Sequence, residues 1–148
     1  MTCTRLASAI VGPLLGILAC TDATSPTSAL VITPATAVIG LAQAQASGIP
    51  ATFTNHTAAT VTLISTSCLG GRITMERALP GGWVPLSPPD VVCAAASIMA
   101  PVQLGVAPGA SVSLSAYGME LGGLTIGRYR MHVRSTGGDA YSGAMTIQ

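Results

Sequence analysis

Ala110-Ser111-Val112-Ser113-Leu114-Ser115-Ala116-Tyr117 is the stretch that decides the fold class of this chain. Val112, Leu114 and Ala116 alternate with Ser111, Ser113 and Ser115. A period of two puts the apolar side chains on one face of a strand and the hydroxyls on the other. Gly127 to Ser135 repeats the pattern, with Tyr129, Met131 and Val133 on one face and Arg128, Arg130, His132 and Arg134 on the opposite one. Ala140 to Ile147 reads as the last strand.

Upstream the same alternation recurs in shorter runs. Ala29 to Thr33 and Thr36 to Gly40 read as one edge strand broken at Pro34, because proline donates nothing to a ladder. Ala51 to Asn55 turns Ala51 and Phe53 inward. Asn55-His56-Thr57 reads as a turn; it also matches a glycosylation sequon. Thr60 to Ser67 places Val61, Leu63 and Ser65 on one face. Arg72 to Leu79 sets Ile73, Met75 and Arg77 against Thr74, Glu76 and Ala78. Glu76 and Arg77 are adjacent, so one of them faces inward or an edge and needs a partner. Pro80-Gly81-Gly82 is a turn after which Trp83 to Leu86 pairs back. Residues 87–109 are long for a loop without structure of its own, and a short strand near Val102 to Val106 is expected there. Ala42 to Ala46 is too short to count as a helix. The whole is an all-β pattern of about seven to nine strands at the spacing of an antiparallel β-sandwich.

The domain so read spans residues 29–148. Residues 1–19 form a targeting segment: Arg5 supplies the positive charge, and Leu6 to Ala19 is apolar but interrupted by Gly12-Pro13. That run is shorter than the ~20 residues of a membrane span and suits a signal peptide. Residues 20–28 are a polar, flexible tether. Beyond residue 19 there is no Lys, and five Arg balance five Asp and Glu. A nucleic-acid binder carries a basic excess that this chain lacks. Its five aromatic residues are too few to furnish both a core and a stacking platform.

Two resemblances follow from particular residues. Ile17-Leu18-Ala19-Cys20, after a short apolar run and before a Thr/Ser/Pro-rich stretch, resembles a bacterial lipoprotein signal. The resemblance implies cleavage before Cys20, lipid on its sulfur, and an anchor firm enough to hold the domain at a membrane, since two or more chains bind stably. Thr21, where such proteins carry Asp for inner-membrane retention, implies the outer membrane, although Asp22 is close. In an exported domain the remaining pair, Cys68 and Cys93, reads as one disulfide, worth roughly 3–4 kcal/mol in the chain-entropy model. Leu124-Thr125-Ile126-Gly127-Arg128-Tyr129-Arg130-Met131 resembles the start of strand F in immunoglobulin-like and fibronectin-III-like domains. There a Tyr after a Gly-containing corner ties its hydroxyl back to the backbone, and Tyr129 stands in that place. Met131 occupies the position of the second core Cys, so Cys68–Cys93 is a different staple. Pro108-Gly109 and the strand after it resemble strand E, and Glu76-Arg77, Gly81-Gly82-Trp83 and Cys93 are similar to bacterial lipoproteins of the same architecture.

The strongest charge feature is the stripe Arg128, Arg130, His132 and Arg134. It fits an anionic or protein partner, or else a solvated face neutralised by Glu76, Glu120 or Asp139 on neighbouring strands. His56 and His132 with Met75, Met99, Met119 and Met131 suggest copper, whose ligands are imidazole and thioether. Against it, the adjacent Met131 and His132 point to opposite faces of a strand, and no metal site is expected. No Ser sits in a G-x-S-x-G elbow and no acid pair has glycosidase-like spacing, so no catalytic residue and no cofactor are expected. A protease inhibitor, with Pro80 to Pro89 as the inhibitory element, is a further alternative. The expected protein is a non-catalytic, lipid-anchored module of the cell envelope, facing the periplasm and binding a protein partner.

Overall fold

The structure, a computed structural model, describes residues 29–65, 71–86, 103–117 and 121–148. The anticipated signal segment and tether, with Cys20, Cys68, Cys93 and Glu120, lie outside the described residues. The elements in chain order are β1 (Leu30–Pro34), β2 (Val38–Ile39), α1 (Leu41–Ser47), β3 (Ile49–Asn55), β4 (Val61–Leu63) and β5 (Thr74–Leu79). They continue with β6 (Gly82–Pro85), β7 (Leu104–Val106), β8 (Ser111–Ala116), β9 (Gly127–Ser135), β10 (Gly138–Tyr141) and β11 (Met145–Ile147). The fold is an all-β sandwich. A sheet of order β1-β3-β8 faces a larger one built on β9, which runs β2-β11-β9-β4-β7 and also holds β5, β6 and β10. Among the described strands the β2–β11 pair is parallel and the other pairs are antiparallel.

Two strand positions along β9 are each split in two, β4 with β5 and β10 with β11, so the eleven segments occupy nine positions, the upper end of the expected range. The break at Pro34 is more than a kink: β1 pairs with β3 in the small sheet, and β2 pairs with β11 in the large one. β4 and β5 both lie along β9, through Leu63↔Ser135 and Thr74↔His132. β10 and β11 both run back along β9, through Tyr141↔His132 and Met145↔Tyr129. Four steps on one side thus match three on the other, which is a β-bulge. Ser142 fills it. Its backbone N–H donates to the Met131 carbonyl at 2.9 Å, while its buried hydroxyl accepts the Met131 N–H at 2.8 Å and donates to the Gly143 carbonyl at 2.7 Å.

The helix α1 corrects the expectation that Ala42 to Ala46 forms none. Seven residues are too few for an isolated helix, and tertiary contacts supply what the sequence lacks. Gly40 caps the N-terminus without a side chain, and the Leu41 N–H donates to the carbonyl of Gln148 at 2.7 Å. Ala44 is buried, and the helix carries the chain from the large sheet to the small one. It ends at Gly48, whose φ of 76° favours glycine; a Cβ there would lie 2.8 Å from the Ala116 carbonyl oxygen.

Between the sheets, Phe53, Ile49, Ile73, Met75, Tyr129, Met131, Met145 and Ile147 are fully buried. Ala51, Val61 and Leu63 face inward as their alternation requires. Val112 and Leu114 are only half-buried, because β8 is the edge of the small sheet. The hydroxyl of Tyr129 donates to the Thr125 carbonyl at 2.9 Å and accepts the Thr125 N–H at 3.2 Å, so the corner before β9 is closed as its sequence anticipates. No helix among the described residues is long and apolar enough to cross a membrane.

Candidate functional site

The charged stripe lies on β9, the strand at the centre of the large sheet. Exposure alternates along it: Tyr129, Met131 and Val133 are in the core, and Arg128, Arg130, His132 and Arg134 are on the outer face. The four cationic or ionisable side chains therefore share a face as expected. They do not share an environment.

Arg130 is held on three sides. Its Nε donates to Glu76 Oε2 at 2.6 Å, from β5. Its guanidinium lies 4.8 Å from the ring centre of Trp83 on β6 and 4.3 Å from that of Tyr141 on β10. An arginine between two aromatic faces gains cation–π attraction as well as packing. His132 continues the stack: its ring lies parallel to Tyr141, centroids 4.5 Å apart and planes 9° apart. Its Nδ1 is 3.7 Å from Glu76 Oε1, and its Nε2 is 3.5 Å from Asp139 Oδ2. Trp83, Arg130, Tyr141 and His132 thus form a ladder of planar groups across four strands, with Glu76 beneath it. Glu76 is 8% exposed, a buried carboxylate on the outer face that is tolerated because its partners cover it.

Arg128 and Arg134 stand outside this cluster. Both are exposed, and neither has an ion pair among the described residues. Six residues of strand separate them, about 20 Å. Arg134 is the cross-strand neighbour of Asp139, whereas Arg128 is the neighbour of Thr146. Of the adjacent pair Glu76-Arg77, the arginine takes the inner side and the edge: its Nη2 donates to the Ile126 carbonyl at 3.3 Å.

The other candidates are placed apart. Met75 and Met131 are buried in the core, directly opposite one another, while His132 is on the outer face and His56 is exposed at a turn. Met99 and Met119 lie outside the described residues. Among the described residues no group of three His, Cys, Asp or Glu side chains is gathered to hold a metal ion. Of the stretch Pro80 to Pro89, residues 82–85 are the strand β6 rather than part of a loop, paired to β5 through Ala78↔Trp83 and Leu79↔Gly82. Asn55 is buried and both hydrogens of its amide are donated, to the carbonyls of Ala59 and Val106, so the sequon is a structural turn. An open groove of about 360 Å3 runs between β1 and the bulge, walled by Val31, Pro34, Ala37, Tyr141 and Gly143. It contains no acid, base or nucleophile arranged for chemistry.

Sequence alone identified the stripe but missed Trp83 and Tyr141 as its partners. The signal for Tyr141 is its place two residues after Asp139 in the strand following β9. For Trp83 it is the hairpin turn that sets it beside Ala78.

No protein-family model matches the sequence, and no curated protein is similar to it. Among solved structures, the chain is similar to a Pseudomonas fluorescens alkylpurine DNA glycosylase AlkC bound to DNA containing an abasic site analog. The similarity covers 81% of this chain and 30% of that one, with 12% sequence identity and a TM-score of 0.38. The chain therefore spans less than a third of that protein, and a likeness this slight carries no inference about function.

Proposed function

We propose that this chain is a non-catalytic binding module of the cell envelope, anchored by lipid on Cys20, facing the periplasm, with the outer membrane favoured. In this reading residues 1–19 are its signal peptide, residues 20–28 its tether, and Cys68–Cys93 its disulfide. It is an immunoglobulin-like or fibronectin-III-like lipoprotein domain, a reading supported by the closed Tyr129 corner and by β8 lying against β3. The observation that carries binding is the division of the stripe. Arg130 and His132 are locked into a rigid ladder, and Arg128 and Arg134 flank it, exposed and without an ion pair among the described residues. Exposed arginines beside ordered aromatics are the residue types that protein interfaces favour. Copper handling has less support, because the buried thioethers of Met75 and Met131 and the imidazole of His132 lie on opposite faces of the sheet. Crosslinking in intact cells followed by mass spectrometry is expected to return a reproducible protein partner, lost when Arg128 and Arg134 are both replaced by Ser. Recovery of random neighbours alone would sink the proposal.

A further inference from the structure

Among the described strands, β1, β2, β6, β7, β8 and β10 each pair on one side only. An open edge offers backbone N–H and C=O groups to any other strand, and folded proteins blunt it with proline, charge or short length. All but β8 are blunted. β1 ends in Pro34 and β6 in Pro85, β2 and β7 have two and three residues, and β10 carries Asp139. β8, Ser111–Ala116, runs for six residues without proline, glycine or charge.

The register fixes what that edge presents. The Asn55 N–H donates to the Ala110 carbonyl, and the carbonyl of Pro50, opposite Ser115, turns the other way to accept from Ala35. Backbone groups alternate sides along an antiparallel ladder. Val112, Leu114 and Ala116 therefore bond to β3, whereas Ser111, Ser113 and Ser115 turn their N–H and C=O groups outward. Those outward groups have no hydrogen-bond partner among the described residues. Val112 and Leu114 pack against the core yet stay half-exposed, and Ser111 and Ser113 are exposed on the outer face.

We infer that β8 is a dimerisation edge whose occupant is β8 of a second copy of this chain, antiparallel about a two-fold axis at Ser113. In that register Ser113 faces Ser113 and Ser111 faces Ser115, so each serine donates its N–H and accepts one across the axis. Val112 then faces Leu114 in a close, non-hydrogen-bonded pair, which covers apolar surface that each copy leaves half-exposed. The two small sheets become one, of order β1-β3-β8-β8-β3-β1. Charge and pattern favour a copy over a different chain. No strand of the small sheet carries a charged residue, so no like charges meet across the axis. A second β8 also supplies, by symmetry, the alternation of apolar and hydroxyl side chains that pairing in register requires. This self-pairing goes beyond the binding of another protein at the stripe and does not depend on it.

Sedimentation velocity of the full chain over a concentration series tests the inference. A dimer that dissociates on dilution is expected. Ser113→Pro removes one outward N–H and leaves the bonds to β3 in place, and Ser113→Lys sets like charges directly opposite one another. Each should raise the dissociation constant at least about tenfold, with thermal unfolding verifying that the variant folds. Mixing Ser113→Lys with Ser113→Glu should restore dimers. Ser111→Lys with Ser115→Glu in one chain should still dimerise, whereas Ser111→Lys with Ser115→Lys should not. Thr33→Lys, on β1, should change nothing. If Ser113→Pro does not fold, the lysine and glutamate variants decide alone. The inference is overturned by a chain that stays monomeric into the sub-millimolar range, by open-ended assembly in place of dimers, or by a dimer indifferent to the Ser113 variants. A monomeric chain for which crosslinking in cells still returns a protein partner removes the self-pairing and leaves the binding reading standing.

Discussion

Asn55 shows how much one polar side chain organises in this fold. It is buried at the end of β3, and its amide donates to the carbonyls of Ala59 and Val106 at 2.8 and 2.9 Å. Its Oδ1 accepts the backbone N–H of Thr57 at 2.9 Å and the Thr57 hydroxyl at 2.7 Å. Its own N–H and carbonyl pair with Ala110 and Gly109. The residue therefore ties the turn after β3 to the end of β7 and the start of β8. Asn55→Ala removes a partner from the Ala59 and Val106 carbonyls and from the N–H and hydroxyl of Thr57. It leaves the backbone pairs to Ala110 and Gly109. Unsatisfied buried polar groups cost about 1–3 kcal/mol each. A loss of about 2–4 kcal/mol of folding stability is expected in urea denaturation. Asn55→Asp keeps the acceptors but turns a negative oxygen toward the two carbonyls, so at neutral pH it should destabilise at least as much. A loss under 1 kcal/mol in either variant would show that the turn holds without the side chain.

At the scale of elements, the outer face of the large sheet is organised by strands far apart in the chain. Glu76 and Arg130 are directly opposed on β5 and β9, and side-chain exposures of 10% and 25% leave little water to screen them. Removing one member of such a pair strands the other, whereas replacing both with apolar groups is often nearly neutral. Arg130→Met alone should therefore cost about 2–3 kcal/mol, and the double variant Glu76→Leu with Arg130→Met less than that, as read from chemical denaturation of the full cycle. Costs that simply add would show that the two residues act independently. The faces of β3, β4, β5, β8 and β9 were legible because a period of two depends only on neighbours in sequence. The neutralisation of the stripe was not legible, because Glu76, Trp83 and Tyr141 reach Arg130 through pairings that sequence alternation does not specify. The same reason hid the change of sheet after the break at Pro34, the bulge at Ser142 and the helix at Leu41. Each is settled by long-range partners: β11 for β2, Met131 for Ser142, and Gln148 for the first turn of α1.

For the molecule as a whole, the two termini of the sandwich are unequal in what they hold together. β11 ends one residue before the last, yet it is an interior strand, with β9 on one side and β2 on the other. Its Met145 and Ile147 are fully buried, and Gln148 supplies the carbonyl that starts α1. β1 is an edge strand of the small sheet, and the described core begins at Leu30. Tolerance to truncation follows burial and hydrogen bonding rather than distance from the end of the chain. Deleting residues 145–148 removes two core side chains, each worth about 2–5 kcal/mol, and also deprives β2 and α1 of their partners. The two side chains alone come to about 4–10 kcal/mol, comparable to the ~5–15 kcal/mol by which a domain of this size is stable. With the lost pairing of β2 and α1 added, the shortened chain is expected to show no cooperative unfolding transition. A chain beginning at residue 29 keeps every residue of the described core and should unfold cooperatively, with a midpoint close to that of the full chain. Circular dichroism and thermal denaturation of the two truncations, side by side, decide the matter. A cooperative transition after loss of residues 145–148 would mean that β9 and β2 hold the large sheet without the strand between them.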